Sequence, residues 1–353
     1  MLSWFILMSL TTNKKKWAAY GGSVLFLFAA LIIGISIGSI GIPFSTTVIV
    51  LLQEGAGIPL GADIDSVTRN IILDIRLPRV TLALLVGASL AMAGSAFQGF
   101  LKNPLADPFT LGVSSGAALG AVIVLFLGLS LPLIGAFTLP FVSVISGFLT
   151  LFLVLFFARI VQKNLATETI ILAGIIFSSF LGSLMSLLIA LTGEELRQII
   201  TWLMGSVSMR GWSHVLLMLP FFITGAVILF ANSRELNAMV FGEETAKTLG
   251  VNTEARKISI LLGASLLTGS AVAVSGTIGF VGLVIPHLVR LLFGADHRHH
   301  LPLSLLIGGG FLVLTDMAAR TLIAPTELPI GVLTAIIGAP VFGLLLLRER
   351  KKL

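Results

Sequence analysis

Apolar runs of about twenty residues recur along this chain, parted by short polar stretches, and that spacing is its first structural signal. A hydrocarbon layer of about 30 Å is crossed by about 20 residues of α-helix. The runs predict ten spans, at 17–41, 78–98, 109–129, 134–158, 169–191, 213–231, 258–276, 278–293, 302–322 and 330–347, with 278–293 the shortest. No region shows the alternating ten-residue segments of a membrane β-barrel, and a helix satisfies its own backbone hydrogen bonds inside lipid. The expected fold is an all-α polytopic membrane protein with about ten transmembrane helices. No soluble domain or long linker interrupts it. The largest polar stretches are 53–79, 192–212 and 232–257, so residues 1–353 read as a single transmembrane domain.

Small residues add a second pattern. Gly87, Gly94 and Pro104 recur as Gly269, Gly276 and Pro286 at an offset of 182, and Gly112 matches Gly294 at the same offset. In the predicted topology the first copy starts outside and the second inside, as in an inverted-topology repeat. The plainer alternative is that small residues mark helix contacts in any bundle.

Composition confirms the class: 56% of residues are hydrophobic and 11% charged, where a soluble domain carries about a quarter charged. The absence of cysteine excludes disulfides and thiolate metal sites. Lys14, Lys15 and Lys16 before an apolar run resemble a secretion signal, but the run is too long for a cleaved one and reads as an uncleaved first span. Lysine and arginine favour cytoplasmic loops. With the N-terminus inside, 16 of the 22 basic residues fall on the cytoplasmic side, among them Lys102, Lys247, Lys257, Arg290 and the C-terminal RERKK. Arg69, Arg76, Arg79, Arg197, Arg210 and Arg320 fall outside. This distribution accounts for the net charge of +6 without a nucleic-acid partner, and places both termini in the cytoplasm.

Several motifs invite chemistry and lose it on context. GVSSG at 112–116 matches G-x-S-x-G, which needs a strand-turn-helix elbow and a partnered histidine. Here it opens a membrane helix and reads as packing, with a hydrolase resting on Ser114 as the rival. ADHRHH at 295–300 holds three of the five histidines, but adjacent histidines on a basic loop rarely give zinc geometry, so a solvated turn is expected. His287, after Pro286 and beside Arg290, is expected near the inner membrane surface. GSAFQGF at 94–100 has the glycines of a phosphate loop without its lysine, and no G-x-x-x-x-G-K-[ST] occurs. If ATP drives this protein, another subunit binds it. No catalytic, cofactor-binding or metal-ligating residue is expected, and the chain is not expected to be an enzyme.

Two features carry more. Arg76 and Arg79 precede the second span, and Arg320 lies one helical turn after Asp316. They suit recognition of an anionic partner, against the alternatives of snorkelling to water and simple i,i+4 pairing. VFGEETAKTLG at 240–250 makes a polar piece of about two turns between Gly242 and Gly250. Glu243 and Lys247 stand at i,i+4, and Val240, Phe241, Ala246 and Leu249 supply an apolar side. So short a helix is marginal alone in water, and a partner is expected against it.

Four stretches, IRLPRVTLALLVGASLAMAGSAFQGFLKNPLADPFTLGVSSGA at 75–117, GEETAKTLG at 242–250, GTIGFVGLVIPHLVRLLFGADHR at 276–298 and ELPIGVLTAIIGAPVF at 327–342, carry a family resemblance over nearly the whole chain. The chain resembles the permease subunit of type II ATP-binding-cassette importers, the FecCD-like group for iron-siderophore, haem and cobalamin. The resemblance implies a bacterial cell-membrane permease that pairs with a second permease subunit, a copy or a paralogue, around a central path. Two cytoplasmic ATPase subunits and an extracytoplasmic substrate-binding protein are the other implied partners. It assigns ATPase coupling to the segment 232–257, on Gly242, Glu243, Glu244, Thr245, Lys247, Leu249 and Gly250. It assigns binding-protein docking to Arg76, Arg79 and Arg320. The inner gate falls on Thr167 and Glu168 in LATET, where small hydroxyl residues are expected and Glu168 departs from the pattern. The expected cargo is a ferric siderophore or similar iron chelate, with cobalamin or haem as alternatives. A rival ion-coupled secondary transporter would want ionisable residues near the midplane; Asp316 comes nearest.

Overall fold

The computed structural model describes residues 2–38, 40–55, 57–58, 64–163 and 165–350, and among them there are helices and no strand. Lys351 and Lys352 of the basic tail lie outside the described residues. In chain order, α1 (Leu2–Ser36) and α2 (Phe44–Gly55) precede α3 (Ser66–Asn70), which runs through a π-helical turn (Ile71–Arg76) into α4 (Leu77–Phe100). Then come α5 (Val113–Phe126), α6 (Thr138–Val161), α7 (Thr167–Leu191), α8 (Leu196–Leu203), α9 (Trp212–Ala231), α10 (Ser233–Val240) and α11 (Glu243–Thr248). The chain ends with α12 (Thr253–Ser275), α13 (Val281–Phe293), α14 (His297–Thr321) and α15 (Ile330–Arg350).

Seven of these stretches are long and apolar enough to cross a membrane, and the shorter apolar helices Val113–Phe126, Val281–Phe293 and Ile330–Leu345 bring the set to the ten predicted runs. Their ends follow local chemistry. Pro78 sits in the first turn of α4, where the continuous helix changes from π to α geometry. The Asn252 and Asp296 side chains accept from the Ala255 and Arg298 amides and so cap α12 and α14.

Helix α4 is almost wholly buried, with α9, α12, α13 and α14 against it. Its glycines explain how they approach. A Cβ on Gly94 would lie 1.8 Å from the Gly282 carbonyl oxygen of α13, and one on Gly87 would lie 2.3 Å from the Gly308 carbonyl of α14. The backbones touch, the usual way helices gain dispersion contacts where lipid is as apolar as leucine. Away from α4 the helices bare large apolar groups, such as Phe152 on α6, Phe180 on α7 and Leu216 on α9.

Two expectations change, those for ADHRHH and for the glycine echo. The ADHRHH stretch is not a solvated turn: it opens α14, with His297 and His300 buried, and no metal-binding group of side chains occurs among the described residues. His287 is fully buried with its ring edge-on to Phe342. Ser114 is buried at the start of α5 and its hydroxyl has no hydrogen-bond partner among the described residues. Two residues on, Gly116 presses on Thr150 of α6, in keeping with packing. The glycine echo is not mirrored residue for residue. Gly94 lies inside α4, whereas Gly276 ends α12 at φ +70° against the Trp202 carbonyl.

Candidate functional site

Polar side chains gather at the two opposite ends of α4. Beyond its last residue, around α11, Glu243 turns inward. Its carboxylate lies 2.6 Å from Lys257 Nζ and accepts the Thr167 hydroxyl at 2.8 Å. The sequence suggested Lys247 as its partner; Lys247 instead pairs with Glu244 at 2.7 Å on the exposed side. The difference is depth: Lys257, at the start of α12, is 1% exposed and needs a counterion. Burial acts to raise the Glu243 carboxyl, but the hydrogen bonds from Lys257 and Thr167, and the charges of Lys257 and Lys102, outweigh it and hold it below the ordinary glutamate range.

The two assigned sites of this end therefore meet. Thr167 opens α7 and Glu243 opens α11, and they share a hydrogen bond across 76 positions. Glu168, beside Thr167, points to the exposed side. Of the apolar side expected for α11, Ala246 faces inward, while Phe241, Leu249 and Val240 are 76%, 68% and 43% exposed. Glu244, Thr245 and Lys247 share that outer surface, and Gly242 and Gly250 close the helix at φ +117° and +83°. Neighbouring α10 is anchored: Leu236 and Met239 are buried, Asn237 donates to Asp296 at 2.8 Å, and Glu235 pairs with Arg256 at 3.4 Å.

At the other end, Arg76, Arg79 and Arg320 come together with their guanidinium groups turned inward. Each is under a tenth exposed. Arg76 donates to the Ile35 and Ser36 carbonyls at 2.8 and 2.7 Å, and also to that of Ile40. Arg79 grips Asp316 at 2.9 Å and Glu327 at 2.8 Å. Arg320 reaches Asp316 at 3.2 Å and the Gly34 carbonyl at 2.8 Å. The i,i+4 pair read from the sequence is thus one edge of a larger cluster that joins α1, α4 and α14. Glu327 lies at its exposed rim. Burial acts to raise the Glu327 carboxyl, and hydrogen bonds from Arg79 and Ser208 prevail and lower it.

Beside this end opens a cavity of about 590 Å³, lined among others by Arg197, Gln198, Trp202, Ser206 and Arg210. Arg197 and Arg210 had no role in the sequence reading, nor did Lys257 beyond its count as a cytoplasmic charge. A lysine set directly against the apolar run ISILLGAS was the available sign.

The chain matches the FecCD transport family over residues 25–348. It is 58% identical over 339 residues, 96% of each chain, to the uncharacterized ABC transporter permease protein YvrB of Bacillus subtilis. It is 43% identical over 295 residues, 83% of this chain and 77% of the relative, to the cobalamin import system permease protein BtuC of Halobacterium salinarum. A solved structure described as a metal-chelate type ABC transporter in an inward-facing conformation superposes with TM-score 0.79 at 36% identity, covering 93% of this chain and 98% of the other.

Proposed function

The chain belongs to the FecCD transport family, and we propose that it is the membrane permease of an ATP-driven importer for a ferric siderophore or similar iron chelate. The observation that carries the reading is the build of α11. This helix is anchored by Ala246 and Glu243, and the residues that flank it, Phe241 and Leu249, are exposed beside its Glu244 and Lys247. Large apolar groups exposed at both ends of a short polar helix mark a contact surface. A groove on a separate ATPase subunit is the occupant we assign, and ATP hydrolysis belongs to that subunit.

The remaining parts fit that assignment. Helix α7 starts at Thr167 and Glu168 and bares a mixed face of Leu172, Ile175, Ser179, Ser183 and Ser186. Its serine hydroxyls donate back to their own helix, Ser183 to the Ser179 carbonyl at 3.0 Å and Ser186 to that of Gly182 at 3.0 Å. Such a wall is weakly polar and lets a bulky chelate pass without holding it. We place it on the path shared with a second permease subunit, with Thr167 and Glu168 as its inner gate. The cavity near Arg197 and Arg210 receives cargo at the outer end. An external binding protein docks over the Arg76, Arg79 and Arg320 cluster, whose exposed rim carries Glu327. Both termini then lie in the cytoplasm of a bacterial cell. Movement of α11 biases two arrangements of the permease pair, and differential contact in each supplies the coupling.

The test uses Thr245→Cys in a chain with no native cysteine. The thiol is expected to crosslink to the ATPase subunit in the assembled complex; reaction with soluble reagents alone would sink the assignment. Cobalamin or haem as cargo would appear as growth rescue by those compounds in place of iron chelates. Uptake that persists without the ATPase subunits and collapses with an uncoupler would favour ion coupling.

A further inference from the structure

One buried ammonium group holds together two segments that are far apart in sequence. Lys257 Nζ donates to the Leu165 carbonyl at 2.9 Å and lies 2.6 Å from Glu243 Oε1, the same oxygen that accepts the Thr167 hydroxyl at 2.8 Å. The loop into α7, the start of α11 and the start of α12 thus meet in one polar knot.

Both sides of the knot suit motion. Leu165 stands at φ +47° while its side chain is buried. Residues of its bulk seldom adopt that conformation, which persists only where the surroundings enforce it. The Lys257 bond to its carbonyl is one such enforcement. On the other side, Gly242 and Gly250 stand at φ +117° and +83°; a Cβ on Gly250 would meet nothing within 4 Å and one on Gly242 only the Thr245 hydroxyl at 3.7 Å, the make-up of a hinge pair. Helix α10 cannot share that freedom, because Arg256 and Asp296 fix it to α12 and α14. Helix α11 is therefore the piece freer to move, and its inward ties are the buried Ala246 and the Glu243–Lys257 ion pair.

We infer that Lys257 is a positioning residue of the transport cycle, which transmits displacement of α11 through Glu243 to Leu165 and Thr167 at the mouth of α7. The inference rests on the coupling role assigned to α11 above. A buried cation does not give up its counterion without a replacement. When α11 moves, Lys257 and the loop it holds must follow, or the Thr167 hydroxyl must leave Glu243. Either outcome changes the entrance to α7.

Two cysteine reporters, Thr245→Cys on α11 and Ala166→Cys before α7, test this in separate copies of the full chain assembled with its ATPase subunits in liposomes. The probe is a water-soluble maleimide, and reaction rates are compared with and without a nonhydrolysable ATP analogue. The nucleotide is expected to change the rate at both sites. In Lys257→Met the change at Ala166 should shrink about tenfold, within the usual range of coupling between sites, while the change at Thr245 remains. Lys257→Arg should retain both responses. An undiminished Ala166 response in Lys257→Met overturns the relay and leaves the role of α11 standing. No response at either site in the unaltered chain overturns the role of α11, and the relay with it. If Lys257→Met fails to assemble, Glu243→Met/Lys257→Met removes both charges together and is expected to assemble without the Ala166 response; a retained response there overturns the relay.

Discussion

Asp316 shows how much one carboxylate can organise. Fully buried, it faces Arg79 at 2.9 Å and Arg320 at 3.2 Å, and so ties α14 to α4 and to itself. Removing one partner from a buried pair leaves uncompensated charge, at about 3–5 kcal/mol. Asp316→Ala leaves Arg320 with no carboxylate and Arg79 with Glu327 alone, and is expected to lose about 3 kcal/mol in denaturant unfolding of the purified protein. A loss under about 1 kcal/mol would show that water or lipid replaces the carboxylate. The sequence disclosed the Asp316–Arg320 spacing because it is local. It could not disclose Arg79, 237 positions away, nor that the arginines turn inward. The same limit misassigned the partner of Glu243. A helix-spacing rule finds Lys247, while depth selects Lys257.

At the scale of the element, α11 depends on chemistry outside itself. It is six residues long with no side-chain cap at its start, so its place rests on Ala246 and on the tie of Glu243 to Lys257 and Thr167. The folded Glu243 carboxyl lies below its ordinary value of 4.5. A depressed acid contributes stability above the ordinary value and loses it as pH falls through the folded one. As pH falls below the ordinary glutamate value and through the folded one, protection of the 241–250 segment from an acid-stable protease should therefore fall, with Lys257 and Lys102 the cations that face the titrating group. Unchanged protection would mean the tie adds nothing to the docking of α11. The ten membrane runs were legible because their period and length are set by the bilayer. The short α13 was legible only as a truncated run, and the division of 232–257 into a fixed α10 and a freer α11 depends on tertiary contacts with Arg256 and Asp296.

For the whole molecule, the question is which bare surfaces meet lipid and which meet water. Helix α6 exposes Phe152 and Phe156 in a stacked pair at 6.0 Å, among other large apolar groups such as Phe141, Ile145 and Leu149. Helix α7 exposes serines among its aliphatic groups. In the assembled transporter, Ser179→Cys and Ser183→Cys should react with a water-soluble maleimide, and Phe152→Cys should not. Equal protection of all three would remove α7 from the path.

The near-total burial of α4 bears on how any such path could open. Where it meets α13 and α14, bare backbone lies on bare backbone at Gly94 and Gly87. There are no side-chain rotamers at those contacts to absorb a shift, and interiors packed this closely transmit strain rather than dissipate it. A lever works only about a fixed point. If α11 is the handle and α7 the far arm, α4 with its glycine-seated neighbours is the fulcrum, and every displacement in this protein is to be measured from it.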